Sequence, residues 1–573
     1  MSSSITRSTA AAPVAGSPHR TGLARGTLAA AALGVLVVQI TMAIPAVLNG
    51  QFQQDFGSTS AQLTWITAAF LIPVTLLELS FGVLGDLFGR KRLLVWGAGL
   101  MAVGLVIALF TPGTGSSTGL RVTVLVVGQI ITGVGAAAML PSTLAMVAAG
   151  THTARDRARA LSIWSAALVT GAVVSPVLGG WAAGHAFRGD AFGGWRWAFL
   201  VCLVLCLVSA VVSQVAATES SAPEGRTLDW GGQITIALSL FALLYAVIQG
   251  PTSGWGHWSV IAGFVLAVVF FVAFVAIERR VTGPLLDLGL FRNRAFSVAA
   301  VVTVLGMFAY LGTGYSASIR LSAIQGFSPL KTSIAFVLLY AFALLLTPVV
   351  SRVLHTVNPR FVLVGAFLLI AIGDIWVSRV PITNHGYGAL AAPLVIIGIG
   401  FAFAVSGVTG VTVNTVPNHL AGMASGTTSM LRDLGFTLAP VVLGAIALSR
   451  AAHEIADKVA ANPALQQAVA AFNSAPASAP QDQRAALQGA VGAVNSGPLG
   501  ANAIPGSVPG PDGTMVPFNP LKDTAFTALG HAYSLSWLIC GLAALVAAVL
   551  TVVALGGKAD DTHIAEESLS PAA

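Results

Sequence analysis

Apolar residues run along this chain in blocks of about 20, separated by short polar segments. An α-helix of that length rises about 30 Å, which matches the hydrocarbon thickness of a bilayer. The blocks therefore predict fourteen membrane-spanning helices in groups of six, two and six. They are expected at 27–49, 61–84, 93–112, 121–149, 160–184 and 197–217, at 231–249 and 258–277, and at 295–319, 332–354, 361–380, 388–415, 421–448 and 526–555.

The composition agrees with a lipid environment. Of the 573 residues, 55% are hydrophobic and 9% are charged, whereas a soluble domain carries about 25% charged residues. The chain also has 62 glycines, which suit helices that pack closely in lipid. A β-barrel would instead show short alternating strands. The expected fold class is therefore an all-α integral membrane protein.

Lysine and arginine residues predict the orientation in the membrane. If the N-terminus is cytoplasmic, most of the 28 basic residues lie on the cytoplasmic side, as the positive-inside rule requires. Both termini are then cytoplasmic in a multi-pass protein of the cell inner (plasma) membrane. This placement also accounts for the net charge of +7, so no nucleic-acid partner is expected. The first block is longer than a signal-peptide core and is expected to be retained as an anchor.

Polar segments divide the chain into five parts. A cytosolic tail (1–26) precedes a six-helix bundle (27–217), and a linker with the extra helix pair (218–294) precedes a second bundle (295–555) and a cytosolic tail (556–573). The second bundle contains a long exterior loop, 449–525. Its first part is compatible with an amphipathic helix, whereas the part around 496–520 is rich in Gly, Pro and Asn and predicts coil.

The turn after the second block has the sequence GVLGDLFGRKR, with Gly82, Gly85, Asp86, Gly89, Arg90, Lys91 and Arg92. Glycine permits a tight turn, and an acid among basic residues can cap a helix end and bind a neighbouring helix. The simpler interpretation is an ordinary positive loop. The segment resembles the signature of the major facilitator superfamily at the cytosolic gate, except that Leu87 stands where a basic residue is usual.

The fifth block contains small residues at helical spacing around a proline: Gly171, Ser175, Pro176, Gly179 and Gly180. Small residues create a groove for a partner helix, and a proline inside a helix introduces a kink. The pattern is similar to the antiporter motif of superfamily exporters, with Ser175 in place of one glycine. Ordinary helix packing is the alternative.

Several further stretches are similar to the fourteen-helix drug:proton antiporter branch of that superfamily. They are WRWAF (195–199), LDWGG (228–232), GPLLDLGLFRNRAF (283–296), GFSPL (326–330) and AGMASGTTSMLRDLG (421–435). The resemblance implies two six-helix bundles, each an inverted three-plus-three repeat, that rock about a central site. It also implies a monomer that exports amphipathic small molecules in exchange for protons. The absence of a nucleotide-binding motif agrees with an ion gradient as the energy source.

Two departures from the branch affect the expected coupling. Gln39, two residues before Thr41, stands where the branch has an aspartate, and Gln129 stands where it has an arginine before the pair Gly133 and Gly135. The two glutamines could hydrogen-bond to each other across the bundle, but neither amide can carry a proton near neutral pH.

Proton exchange therefore requires another acid within the membrane, where charges are costly and usually retained for function. The candidates for a proton or cation site are Asp433 with its neighbour Arg432, Glu78, and Asp374. Adjacent helical residues point about 100° apart, so Arg432 and Asp433 are expected to have different partners. Interhelical salt bridges or hydrogen bonds are the structural alternative. Arg320 is expected to extend to the membrane interface.

The substrate cavity is predicted to be broad and apolar, with Phe70, Trp164, Phe308 and Tyr340 as its aromatic residues. A second hypothesis is a lipid or glycolipid exporter with weak or no proton coupling, which the two glutamines favour. A membrane-embedded enzyme would need clustered acids or histidines, and the ten histidines form no such cluster. We therefore expect no enzyme activity, no metal and no cofactor, and we interpret Cys202, Cys206 and Cys540 as packing residues.

Overall fold

A computed structural model describes residues 24–554, apart from 114, 152–153, 185–193, 222–228, 282–283, 287, 415–420, 464–465, 468–496, 504, 510–514, 518 and 520. Structural statements here concern these described residues. The two terminal tails expected from the sequence lie almost entirely outside them. The long helices are α1 (Arg25–Phe56), α2 (Ser60–Phe88), α3 (Arg90–Leu109), α4 (Thr118–Ala149), α5 (Ala154–Gly184), α6 (Gly194–Ala216), α7 (Trp230–Ser253), α8 (Trp258–Glu278), α9 (Arg294–Ser318), α10 (Pro329–Leu345), α11 (Thr347–Thr356), α12 (Pro359–Ser378), α13 (Gly388–Asn414) and α14 (Ala421–Ala460).

Shorter elements and one more long helix complete the chain. A 3₁₀ helix (Leu288–Arg292) precedes α9, and a π-helix (Ile319–Ile324) continues α9 directly. After α14 come the short helix α15 (Gly497–Ala503), strands β1 (Ser507–Pro509) and β2 (Met515–Pro517), and helix α16 (Lys522–Ala554). The two strands pair antiparallel, with Val508 opposite Val516.

Among the described residues, thirteen helices are long and apolar enough to cross a membrane, and α10 with α11 makes fourteen when the bent pair is counted as one span. With that count, the number of spans matches the prediction. The bend of 45° falls at the start of α11, where Pro348 occupies the first turn. Proline lacks a backbone N–H donor and disfavours a helical conformation in the residue before it, which accounts for the break.

The helices form two six-span bundles, as expected. In the first, α1 packs on α5 and α6, and α3 packs on α4 and α6. In the second, α12 packs on α13 and α16, and α9 packs on α14 and α16. Cys202, Cys206 and Cys540 are buried and unpaired, in agreement with their interpretation as packing residues.

Helix α7 contacts both bundles through α2 and α14, whereas α8 packs mainly on α7. Gln233 on α7 donates a hydrogen bond from Nε2 to the Leu76 carbonyl at 2.5 Å. On the same side, the Trp65 ring lies 6.4 Å from the Phe241 ring. The extra helix pair is therefore attached to the junction of the two bundles by polar and aromatic contacts.

Helices α2 and α14 run antiparallel, since Leu71 pairs with Thr437 and Thr75 pairs with Asp433. We call the membrane end that holds the start of α1 and the end of α16 the near end, and the opposite end the far end. The described parts of segment 449–525 lie at the far end. Its expected helical part is the continuation of α14 to Ala460.

The coil predicted around 496–520 is wrong in part, because α15 and the β1–β2 hairpin form there. Asn519 explains much of this order. Its Nδ2 donates to the Ala501 carbonyl at 2.7 Å, and its Oδ1 accepts from the Leu521 backbone N–H at 2.9 Å. The bond from Asn519 to Ala501 joins residues 18 positions apart. It depends on tertiary contacts that composition does not reveal.

Candidate functional site

A buried charged cluster lies where the two bundles meet. It contains Glu78 on α2 and the neighbours Arg432 and Asp433 on α14. Asp433 Oδ1 lies 2.8 Å from Arg432 Nε, and Glu78 Oε1 lies 4.0 Å from Arg432 Nη2. The expectation of separate partners for Arg432 and Asp433 was wrong, because the long guanidinium side chain folds back onto the neighbouring carboxylate.

The two carboxyl groups share a single positive charge. Glu78 is 7% exposed and Asp433 is 6% exposed. Glu78 Oε2 and Asp433 Oδ2 are both buried without a hydrogen-bond partner among the described residues. A buried charge is stable only when it is paired and hydrogen-bonded. In this cluster two buried carboxyl groups therefore depend on one guanidinium group for their charge pairing.

The cluster is joined directly to the contact between the bundles. Thr75 on α2 donates to the Asp433 carbonyl at 3.0 Å, and its hydroxyl lies 2.7 Å from that of Thr437. Thr437 also donates to the Asp433 carbonyl, at 2.9 Å. A movement of α2 against α14 must change the two contacts of Thr75, which lie next to Asp433.

A small cavity of about 30 Å³ borders the cluster within the second bundle, between α9, α13 and α14. Arg432 is the charged residue of its lining, and the side chain is 26% exposed. The side chains of Glu78 and Asp433 are more deeply buried, with 9% and 8% of their side-chain surface exposed. The other lining residues are small, apolar or hydroxylated: Thr303, Met307, Val405, Val408, Thr428 and Ser429.

Sequence reasoning did not identify these lining residues. Thr303 and Met307 are four residues apart on α9, as are Thr428 and Arg432 on α14, so each pair shares a helix face. The four-residue spacing between Thr428 and Arg432 could have identified Thr428 from the sequence. Nothing in the sequence indicates that these two faces lie opposite α13.

The four aromatic residues predicted for the cavity do not line this one. Phe70 is 1% exposed within the core, and Trp164 donates from Nε1 to Thr143 Oγ1 at 3.0 Å. The Tyr340 ring packs against the Tyr310 ring at 5.5 Å, and Phe308 is a partly buried residue packed against the core. A role for them in substrate binding stays a prediction.

Asp374 lies apart from the cluster, inside the second bundle. It is fully buried on α12, and Thr313 on α9 donates to its Oδ1 at 2.5 Å. Its Oδ2 has no hydrogen-bond partner among the described residues. The structure does not bring Asp374 to the cavity, and its part in coupling stays a prediction.

Gln39 and Gln129 are not joined by a hydrogen bond in the described structure. Gln129 is 1% exposed, and its Oε1 has no hydrogen-bond partner. Gln39 faces α5, because a Cβ atom on Gly171 would lie 2.8 Å from the Gln39 Cβ. Thr41 donates to the Val37 carbonyl of its own helix at 2.9 Å. These three residues are not part of the charged cluster.

At the near end, Asp86 of the signature forms an ion pair with Arg90. Arg90 Nη2 lies 2.6 Å from Asp86 Oδ1, and Arg90 Nη1 donates to the Ala145 carbonyl of α4 at 3.4 Å. Gly89 has φ +106°, a conformation that strongly favours glycine. Glu219, which sequence reasoning missed, accepts from the Lys91 backbone N–H at 2.9 Å and so caps α3. The first signature glycine, Gly82, faces Pro141 of α4.

The α5 motif packs on helices of both bundles. A Cβ on Gly171 would lie 2.8 Å from the Leu36 carbonyl of α1, and Ser175 donates to the Ile40 carbonyl at 2.6 Å. Further along, a Cβ on Gly180 would lie 2.8 Å from the Pro329 carbonyl of α10. Gly179 faces Ile44 of α1, and Pro176 lies inside the helix. The motif thus permits close contact between the bundles at the far end.

Arg320 does not extend to the interface as expected. It is 2% exposed in the π-helix, and it donates to the Val380 carbonyl at 3.0 Å and the Pro381 carbonyl at 2.6 Å. Arg320 instead bonds two backbone carbonyls of the segment that follows α12, which compensates for its burial.

Comparison with known proteins agrees with this architecture. The sequence profile of the Major Facilitator Superfamily matches residues 30–440. The tetracenomycin C resistance and export protein of Streptomyces glaucescens is 29% identical over 75% of this chain and 77% of its own length. The multidrug resistance protein Stp of Mycobacterium tuberculosis is 28% identical over 73% and 75%.

A solved structure shares the fold at low sequence identity. It is a bacterial homologue of the human lysosomal transporter Spinster, and it matches with a TM-score of 0.62 and 15% identity. The match covers 95% of this chain and 98% of the other.

Proposed function

Because the chain belongs to the major facilitator superfamily and is a multi-pass transport protein rather than an enzyme, we propose that it exports small amphipathic compounds by proton antiport. The observation that carries this proposal is the cluster of Glu78, Arg432 and Asp433. It lies between the bundles and borders a cavity. No covalent chemistry is needed, since transport requires only a site that alternates between two faces.

The proposed coupling follows from the charges of the cluster. With both carboxyl groups ionised, the three side chains carry a net charge of −1, which attracts a cationic group of a compound in the cavity. A proton taken up by Glu78 or Asp433 removes that charge and weakens the hold of the cluster on the compound. Because the Asp433 carbonyl also bonds Thr75 across the junction, protonation can alter the contact between the bundles.

The proposed substrates are hydrophobic or cationic amphipathic compounds such as drugs, antibiotics or metabolites. The names of two relatives refer to tetracenomycin C export and to multidrug resistance. The cavity must widen to admit such a compound; its apolar lining residues then contact the body of the compound, and the hydroxyls of Thr303, Thr428 and Ser429 provide hydrogen bonds. The amides of Gln39 and Gln129, which cannot carry a proton near neutral pH, favour a second candidate, lipid or glycolipid export with weak or no proton coupling.

We expect the purified protein in liposomes to accumulate a fluorescent amphipathic cation such as ethidium when the lumen is acidic. Proton flow out of the lumen provides the driving force, so a protonophore should abolish the accumulation. Protein-free liposomes with the same gradient are the control. Transfer of a fluorescent glycolipid that is insensitive to the gradient, without movement of ethidium, would replace this proposal with the second candidate.

We further propose that the near end is cytoplasmic and that the protein functions as a monomer in the cell membrane. The signature residues Arg90, Lys91 and Arg92 lie at the near end, as the positive-inside rule requires of the cytoplasmic side.

Labelling of introduced cysteines tests this orientation. Ser253 at the far end and Arg280 at the near end are exposed, whereas the three native cysteines are at most 1% exposed. In intact cells, Ser253→Cys should react with a membrane-impermeant maleimide, and Arg280→Cys should react only after lysis. The reverse pattern would show that the near end is external.

A further inference from the structure

The short helix α15 is buried at the far end, although it belongs to a loop outside the predicted spans. It contacts α1 and α2 of the first bundle, and α14, α16 and the π-helix of the second. Leu499 is 1% exposed and Asn502 is 2% exposed. Leu499 belongs to the main hydrophobic core that extends through both bundles. This loop helix is therefore packed into the transporter like a core element.

Among the described residues, the side-chain hydrogen bonds of α15 join it to the second bundle. Asn502 Nδ2 donates to the Ala323 carbonyl at 3.2 Å and to the Ile324 carbonyl at 3.1 Å. These carbonyls end the π-helix and would otherwise lack donors. Lys522 at the start of α16 donates from Nζ to the Asn502 carbonyl. Helix α15 is thus fixed to the π-helix and α16, and its contacts with the first bundle rest on packing.

The π-helix is also the element that closes the far end. Asn49 on α1 donates from Nδ2 to Ser318 Oγ at 3.2 Å. A Cβ on Gly50 would lie 2.8 Å from the Ser322 carbonyl, so the backbones of α1 and the π-helix are in direct contact. For a substrate to leave at the far end, α1 must separate from the π-helix. Helix α15 contacts both α1 and the π-helix, so it bridges the same boundary between the bundles.

We propose that α15 is an exterior cap that holds the far end closed: Asn502 positions it on the second bundle, and Leu499 seals it against the first. In this mechanism α15 moves with the second bundle, and the packing of Leu499 breaks each time the far end opens. The cap then sets the balance between the two states of the transporter without contacting the charged cluster. The inference rests on the alternating access of the proposed function.

A cysteine beneath the cap reports its opening. Ser322 is 3% exposed, and its hydroxyl donates to the Ser318 carbonyl one turn earlier, so Ser322→Cys is a mild change. When Ser322→Cys is the one substitution, this cysteine should react slowly with an impermeant maleimide added from the far side. Adding Leu499→Ala should accelerate labelling about tenfold, because loss of buried packing shifts the population toward the open state.

Asn502→Ala is the second variant, since it leaves Leu499 in place but removes the bonds that position α15. It should accelerate labelling of the same cysteine to a similar extent. Ala503→Ser is the matched control, because Ala503 is the exposed residue at the end of α15, and labelling should not change. Thermal unfolding in detergent identifies any variant that fails to fold.

The cap is disproved if Leu499→Ala and Asn502→Ala are folded and both leave the labelling rate unchanged. The assay uses neither a substrate nor a proton gradient. Faster labelling in a protein that fails to accumulate ethidium would therefore retain the cap and reject the proposed function. Unchanged labelling in a protein that does accumulate ethidium would reject the cap alone.

Discussion

Asp433→Asn is expected to abolish proton-driven efflux while substrate exchange without a gradient continues. The amide keeps the size and the acceptor oxygen of the carboxyl group, but it cannot take up a proton. Net transport against a gradient should fall at least about tenfold, which corresponds to about 1.4 kcal/mol. Everted vesicles energised by respiration measure the first quantity, and counterflow in liposomes measures the second.

Asp457→Asn is the matched control for this prediction. Asp457 lies on the same helix, α14, but is exposed at the far end, so its replacement should leave both rates unchanged. Glu78→Gln removes the other carboxyl group of the cluster, and it should also impair proton-driven efflux. If Asp433→Asn and Glu78→Gln both drive efflux as well as the parent protein, the cluster is not the coupling site.

Gly180→Val is expected to prevent transport by holding the bundles apart at the far end. Even the first carbon of a side chain would lie 2.8 Å from the Pro329 carbonyl and 3.0 Å from the Leu330 Cα. Both are backbone atoms of α10, so the clash cannot be relieved by a rotamer change. Overpacking of this kind costs about 1–3 kcal/mol, which is enough to depopulate the closed state and to reduce efflux about tenfold or more.

Gly184→Val provides the comparison, because Gly184 lies one turn later on α5 and a Cβ there would meet nothing within 4 Å. This variant should transport normally. Ethidium efflux from intact cells measures both variants, and the Ser322→Cys label reports the far end directly. Normal efflux by Gly180→Val would show that close contact between α5 and α10 is not required.

The membrane helices were predictable because length and apolarity alone decide whether a segment crosses a bilayer. The blocks around 61–84 and 258–277 correspond closely to α2 and α8. The break between α10 and α11 also has a local cause, Pro348. The apolar block 332–354 nevertheless predicted one uninterrupted helix. The extension of α14 to Ala460 was anticipated only as a separate amphipathic helix.

The candidate site was predictable only in its parts. Glu78, Arg432 and Asp433 were identified because charges are rare within membrane helices. Their assembly around one guanidinium was not foreseen, since the angle between adjacent residues describes Cβ directions and not the reach of an arginine side chain. The burial of Arg320 was missed for a related reason, because its acceptors lie beyond the end of a distant helix.

The sequence by itself determined that this protein is a membrane transporter of a known family, where its helices cross and which acids lie in them. Those properties depend on local composition and on short motifs, such as the turn at Gly89. The tertiary structure decided that Glu78 meets Arg432 across the bundles and that α15 covers the far end. Such contacts join residues hundreds of positions apart, and their geometry depends on how whole helices pack rather than on any local pattern.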